Sequence, residues 1–144
     1  MDESLYDRDF YAWANEQAAL LRAGKLAQAD IANIAEEIES IGRSEKRELV
    51  ERLTALLRVL LQWQYQPGLR DRTQRLTIAE HRLRLDHHLA DNPSLSSRAP
   101  EAMAEAWTLA VIQAQRDTGL SRSTFPATCS YPYEQVISPD FWPE

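Results

Sequence analysis

The sequence predicts an all-α protein, with a single helical domain over residues 1–144 that comprises about four long helices in a bundle and an irregular C-terminal segment over 120–144. Apolar residues recur at spacings of three and four along most of the chain, which is typical of amphipathic helices. Breaks in this pattern fall at glycine and proline, and no convincing strand alternation is present. A length of 144 residues suits one domain that buries roughly two-thirds of its unfolded surface.

The first helix is predicted over about residues 8–23. Its apolar side chains fall within one arc of about 120° on a helical wheel. Asp7 or Asp9 can cap its start, since a short side-chain acceptor satisfies a free backbone N–H there. Gly24 follows as a left-handed stop.

The second helix is predicted over about residues 28–65. Apolar stripes beginning at Ile31 and at Leu49 are in phase, because these two residues are eighteen positions, or five whole turns, apart. The residues between Gly42 and Glu48 carry no apolar side chain, and glycine costs about 1 kcal/mol inside a helix. We expect one long exposed helix with room for a bend at Gly42; two collinear helices are the close alternative.

The third helix is predicted over about residues 70–91, after the break at Gln66-Pro67-Gly68. It is apolar on two opposite sides, and such a helix is usually sandwiched, either centrally in a bundle or at a subunit contact. One side carries Leu76, Ala79, Leu83 and Ala90, and the other carries Ile78, Leu85 and Leu89.

The fourth helix is predicted over about residues 100–118, with Gly119 closing it. The tail that follows holds four of the seven prolines and five of the twelve aromatic residues. We therefore expect short turns that are anchored by aromatic rings, because so many rings are untypical of a disordered tail. Phe141 and Trp142 can dock on the same chain or insert into a partner.

Composition excludes several classes of protein. At 44% hydrophobic and 26% charged residues, the chain is typical of globular proteins. No apolar run approaches the roughly 20 residues that cross a bilayer, and the acidic start does not resemble a signal peptide. Cys129 is the single cysteine, which excludes an internal disulfide. We expect a cytoplasmic protein with no membrane partner.

Charge is segregated along the chain. Residues 1–42 carry a net charge of −6, residues 43–65 and 66–90 carry +2 each, and residues 91–144 carry −4. These blocks can pair internally or across a contact between copies.

A metal site is a second hypothesis. His87 lies beside Leu76 and Leu83 on the third helix and is expected to face inward, where a carboxylate of Glu36 or Glu39 could join it. Imidazole and carboxylate groups on facing helices are typical ligands of divalent ions. No nucleophile motif and no glycine-rich phosphate loop is present, so the residues predict no cofactor and favour a protein that is not an enzyme.

A basic segment between Arg70 and Arg84 could bind anions, although a net charge of −6 and the lack of a nucleic-acid motif make nucleic acid an unlikely partner. The predicted partner is another copy of the chain or another protein. The candidate interaction residues are Arg70, Arg72, Arg75, Ile78, Leu85, Leu89, Phe141 and Trp142.

Several runs resemble the bacterial family known as domain of unknown function twenty-nine. They are Tyr6-Asp7-Arg8-Asp9-Phe10-Tyr11-Ala12-Trp13, Ala35-Glu36-Glu37-Ile38-Glu39-Ser40-Ile41-Gly42-Arg43-Ser44 and Trp63-Gln64-Tyr65-Gln66-Pro67, with shorter matches at Pro93-Ser94-Leu95, Phe125-Pro126 and Cys129-Ser130-Tyr131. The resemblance covers nearly the whole chain. It implies a small, mostly helical, cytoplasmic bacterial protein, and it implies no activity and no catalytic residues.

The residues therefore favour a non-enzymatic interaction or self-associating module. The alternative is a metal-dependent, hydrolase-like helical enzyme that uses His87 with Glu36 or Glu39. A third reading is a regulator that binds anions or nucleic acid through Arg70–Arg84.

Overall fold

The computed structural model describes residues 4–144, and within them the chain is all-α. This part of the chain contains six α-helices and no strand, and four of the helices are long, so the predicted fold class is confirmed. The helices are α1 (Leu5–Arg8), α2 (Phe10–Arg22), α3 (Ile31–Tyr65), α4 (Arg72–Asp91), α5 (Ala99–Thr118) and α6 (Tyr133–Val136).

The predicted helix over 8–23 is two helices in the structure. Asp9 separates them, because its backbone is not helical (φ −149°, ψ 86°) while its side chain accepts a hydrogen bond from Ala12 N–H at 3.1 Å. Asp9 is thus the cap that begins α2. The chain after α2 turns at Gly24, whose φ of 73° is the left-handed conformation expected of a helix stop.

One continuous helix, α3, spans residues 31–65, so the single-helix prediction is confirmed and the two-helix alternative is not. Gly42 lies inside it with nothing within 4 Å of an added Cβ. Glycine lowers the stability of a helix by about 1 kcal/mol. This cost is small compared with the stabilisation from apolar burial further along α3, so the helix continues through Gly42.

The described residues form two compact units, one ending at Ser44 and one beginning at Glu45; we call them the N-terminal unit and the C-terminal unit. The single domain predicted over residues 1–144 stays a prediction, and the units are described separately.

The N-terminal unit is held together by polar contacts and by the packing of three aromatic rings, Tyr6, Phe10 and Trp13. Trp13 Nε1 donates to Asp30 at 3.2 Å, Gln17 accepts from Asp30 N–H at 2.7 Å, and the Tyr6 hydroxyl donates to Glu37. Among residues 4–44, Trp13 and Gln17 alone are buried. This unit therefore has very little hydrophobic core of its own.

The C-terminal unit contains the hydrophobic core. The part of α3 from Leu49 to Trp63 supplies the largest share of it, and α5 packs there through small residues such as Ala106 and Ala110, which are fully buried. Ile78 and Leu85 of α4 complete the interior from a third helix. This arrangement settles which side of α4 faces inward.

The tail docks on the same chain, as the anchoring by rings predicts. Phe125, Tyr131 and Val136 are buried in the core, and Phe141 packs against Tyr131 with ring centroids 5.6 Å apart. Trp142 lies 4.9 Å from Trp63 between centroids.

Arg82 fastens the tail to α4. Its Nε donates to the Val136 carbonyl at 2.9 Å and its Nη2 to the Phe141 carbonyl at 2.6 Å, while the guanidinium lies over Trp142 at 5.4 Å. A planar fork can reach two carbonyls at once. The buried side chain of Arg82 thus satisfies two backbone carbonyls of the irregular tail and holds the tail against α4.

Between Ser4 and Glu144, no helix combines the length and the apolar character that crossing a membrane requires.

Replacing Arg82 tests this anchor. We expect Arg82→Lys to lower the free energy of unfolding by about 2 kcal/mol, because an ammonium keeps the charge but cannot bridge both carbonyls. Arg84→Lys is the matched control, since Arg84 is exposed and pairs with Glu80 on the same helix; we expect a change below about 0.5 kcal/mol. Urea denaturation followed by tryptophan fluorescence measures both, and equal effects would contradict the anchor.

A second prediction concerns the end of α5. Gly119 has a φ of 74° and Gly68 has no positive φ, while neither has an atom within 4 Å of an added Cβ. Gly119→Ala should therefore cost about 1 kcal/mol of stability through backbone strain alone, and Gly68→Ala should cost less than about 0.5 kcal/mol. Thermal unfolding of the two variants compares them directly, and a Gly119→Ala variant as stable as the parent would refute the strain.

Candidate functional site

An exposed stripe of isoleucines runs along the first part of α3. Ile31, Ile38 and Ile41 are 54%, 64% and 62% exposed, and Ile34 is half-buried. Their spacing alternates strictly between three and four residues, which is the a and d pattern of a coiled-coil seam. We call Ile31, Ile34, Ile38 and Ile41 the isoleucine face.

The two flanks of the isoleucine face differ. One flank carries Asp30 and Glu37. Trp13 of α2 donates a hydrogen bond to the Asp30 carboxylate, and Tyr6 of α1 donates one to the Glu37 carboxylate. The hydrogen bond from Tyr6 to Glu37 raises the pKa of Tyr6 to about 12. The other flank carries Ala35 and Gly42, which are exposed and bear no charge. A second helix can therefore approach closely from that side.

Glu36 and Glu39, the carboxylates predicted for a metal site, lie away from the isoleucine face and are exposed. Both interact with Arg43, Glu36 at 3.0 Å and Glu39 at 3.9 Å. Their negative charge is thus partly neutralised within the same helix.

His87, expected to face inward, is exposed, and this expectation is wrong. The side of α4 that carries Leu76, Leu83 and His87 faces outward, because Ile78 and Leu85 take the interior. The joining of His87 with Glu36 or Glu39 stays a prediction.

His88, the next residue, is buried at 7% exposure. It faces Glu45 and Glu48, which are one turn apart on α3, and its Nδ1 lies 3.6 Å from a carboxylate oxygen of each. Among the described residues, these three form the group of acidic and imidazole side chains whose ligand atoms all lie within 4.8 Å of one another. We call it the carboxylate–histidine cluster.

The cluster opens into a polar cavity of about 490 Å³. Its lining also includes Arg52, Arg84, His87, Asp91 and Asn92. No local sequence pattern points to Glu45, Glu48 and His88 as a site, because the pair on α3 and the histidine on α4 are 40 or more positions apart. The available signal was the three-residue spacing of the glutamates at the start of the leucine stripe.

The apolar interaction candidates are largely internal. Ile78 and Leu85 are 0% and 1% exposed, and Phe141 and Trp142 are docked on the C-terminal unit. Leu89, half-buried, lines a groove of about 380 Å³ between α4 and the tail together with Leu83 and Ile137.

The basic candidates are engaged as well, apart from Arg72, which is exposed. Arg70 donates to the Trp63 carbonyl at 2.7 Å and lies over the Trp63 ring at 5.0 Å, and Arg75 lies over the same ring at 5.7 Å. Arg70 and Arg75 thus pack against Trp63, and Arg82 holds the tail.

Cys129 is half-buried, and burial raises the pKa of its thiol. A raised thiol pKa lowers the thiolate fraction and hence its nucleophilicity. This environment is that of an unreactive cysteine.

Comparison with known proteins identifies the family. The family model described as "Domain of unknown function DUF29" matches residues 5–142 of the 144-residue chain. The chain belongs to this family. No curated protein and no solved structure matches it. Membership in the DUF29 family confirms the resemblance seen in the sequence and assigns no activity.

Proposed function

We propose that this DUF29 protein is a self-associating interaction module, and that the isoleucine face binds the same face of a second copy. The observation that carries the proposal is the exposure of Ile31, Ile38 and Ile41 at a and d positions. Isolated exposed apolar residues are ordinary, but a contiguous apolar patch is typical of an interaction site.

A shortage of buried surface supports association. Seven large apolar residues between Phe10 and Ile41 are at least two-fifths exposed, whereas two residues of the described N-terminal unit are buried. Segments of about 40 residues rarely stabilise themselves without additional contacts. Burying the isoleucine face would supply this unit with apolar contacts that its own residues do not provide.

The occupant that fits is an α-helix with the same spacing. Residues that alternate by three and four positions interdigitate with an identical pattern on a facing helix. Each copy carries that pattern, so a two-fold contact satisfies both faces at once. Ala35 and Gly42 leave room for the second helix.

Charge favours an antiparallel arrangement of the two copies. A parallel pair would align the acidic segment of residues 30–39 in one copy with the same segment in the other. An antiparallel pair centred near residue 36 instead aligns the more basic segment of residues 43–46 in one copy with the acidic start of α3 in the other. It also sets the two helix dipoles in opposition, which is favourable.

Substitution on the isoleucine face tests self-association. We expect Ile38→Lys to raise the dimer dissociation constant more than about 100-fold, because each dimer loses two buried isoleucines worth about 1.5–3 kcal/mol apiece. Sedimentation equilibrium measures the constant. Ile112→Lys is the matched control, since Ile112 is a 52% exposed isoleucine of α5 outside the face. A parent protein that stays monomeric at millimolar concentration, or an equal effect of both substitutions, would refute the proposal.

Cysteine cross-linking in a Cys129→Ser background tests the orientation. In the antiparallel pair, two copies of residue 35 lie about 3 Å apart along the helix axis and two copies of residue 42 about 18 Å apart. A disulfide needs Cα atoms within about 7 Å. Ala35→Cys should therefore form a cross-linked dimer and Gly42→Cys should not; efficient cross-linking of Gly42→Cys would indicate a parallel pair.

A further inference from the structure

We propose that the carboxylate–histidine cluster of Glu45, Glu48 and His88 binds a divalent first-row transition-metal ion, with Zn²⁺ as the representative ion. The site is separate from the isoleucine face, and the proposal does not depend on self-association.

The histidine is oriented as a ligand. His88 Nε2 lies 3.0 Å from the Glu45 backbone carbonyl. A carbonyl can only accept, so Nε2 carries a hydrogen and donates it. In the neutral ring, Nδ1 then presents its lone pair, and it has no hydrogen-bond donor among the described residues. A backbone carbonyl on the far nitrogen is the usual way in which a metal-binding histidine is held.

Two carboxylates, those of Glu45 and Glu48, face His88 Nδ1. The nearest carboxylate oxygens of Glu45 and Glu48 are each 3.6 Å away, beyond hydrogen-bond range. The three groups converge at this distance, and the imidazole is only 7% exposed. A positive charge among them stabilises the arrangement, and either a proton on Nδ1 or a bound cation supplies that charge.

The separations suit a shared ion. Two ligands bonded to one zinc ion at about 2.1 Å lie about 3.4 Å apart at the tetrahedral angle. The two nitrogen–oxygen distances of 3.6 Å are close to this value, and all three ligand atoms lie within 4.8 Å of one another. Small side-chain rotations would bring the carboxylates to bonding distance.

Both carboxylates are also positioned from outside the cluster. Asn92 donates to Glu45 Oε2 at 3.3 Å and to the His88 carbonyl at 3.1 Å. Arg52 donates to the other oxygen of Glu48, Oε1, at 2.9 Å, which leaves Oε2 directed at His88. Such supporting hydrogen bonds reduce the conformational entropy that an ion must offset on binding.

Local charge and access are compatible with a cation. Glu45, Glu48 and Asp91 outweigh Arg52 and Arg84 around the cavity, and Arg84 is paired with Glu80 at 2.7 Å. Three protein ligands that face an open cavity leave a fourth coordination position for water, as in catalytic zinc sites.

The ligand set selects the class of ion. Imidazole nitrogen suits zinc, copper, iron and nickel, whereas Mg²⁺ and Ca²⁺ prefer oxygen ligands alone and in greater number. One nitrogen with two carboxylates therefore favours a first-row transition-metal ion over the alkaline-earth ions.

Titration of the full-length, tag-free and chelator-treated protein with Co²⁺ tests the proposal, since bound Co²⁺ absorbs visible light with an intensity that reports its coordination. We expect one Co²⁺ per chain and loss of the absorption when Zn²⁺ is added. His88→Gln should weaken binding more than about 100-fold, and Asn92→Ala, outside the ligand set, should weaken it about tenfold.

One matched control carries the specificity. The pair Glu36→Gln with Glu39→Gln alters an equal number of carboxylates on the same helix and should keep the parent affinity. The pair Glu45→Gln with Glu48→Gln should abolish binding. Because these two carboxylates are more than one-third exposed, this double variant tests the site even where His88→Gln fails to fold by circular dichroism.

The outcomes are distinct. Saturable binding that is lost in the Glu45/Glu48 variant and kept in the Glu36/Glu39 variant supports the site. No saturable binding by the parent overturns it. Loss of binding in the Glu36/Glu39 variant instead would assign the ion to the carboxylates that the sequence suggested.

Discussion

The uneven burial of one helical stripe is the constraint on which the rest of the structure depends. A stripe that begins at Ile31 continues in phase to Leu61 along the 35 residues of α3. From Leu49 onward it is completely covered by α4, α5 and the tail, whereas from Ile31 to Ile41 it is largely exposed. Apolar burial stabilises at about 25 cal/mol per Å², so the C-terminal unit has its own source of stability. The N-terminal unit has the hydrogen bonds of Tyr6, Trp13 and Gln17 and little buried apolar surface. This shortage of burial is why we propose a partner for it.

Polar side chains take specific structural roles around this frame. Arg82 joins α4 to the tail by donating to two backbone carbonyls. Arg58 of α3 forms a bidentate ion pair with Asp117 of α5, with hydrogen bonds of 2.6 and 2.7 Å. The hydrogen bond that Arg58 donates to Asp117 raises the pKa of Arg58. The carboxylate–histidine cluster differs from both, because its two carboxylates face one imidazole nitrogen at 3.6 Å, beyond hydrogen-bond range. That contrast distinguishes a group with a structural partner from one that is suited to an ion.

Local signals in the sequence were enough for the helices and insufficient for the site. The spacing of leucines placed α3, and Gly119 placed the end of α5, because both features are encoded within a few residues. The split at Asp9 was missed, since two helices in sequence give the same periodicity as one. The sequence does not show which side of α4 faces inward. The side with Leu76 and Leu83 is as apolar as the side with Ile78 and Leu85. The sequence pattern therefore favours His87 over His88. Glu45 and Glu48 contact His88 of α4, which lies 40 or more positions along the chain, and no local pattern reveals such a contact.

Hydrogen–deuterium exchange across a range of protein concentrations tests most directly whether the isoleucine face is covered by a second copy. Amides that open locally exchange in proportion to their open population. The account predicts that protection of residues 31–41 rises as concentration passes through the dimer dissociation constant, while that of residues 49–61 stays constant. Protection of residues 31–41 that is independent of concentration would contradict it, because the N-terminal unit would then be stable without a partner.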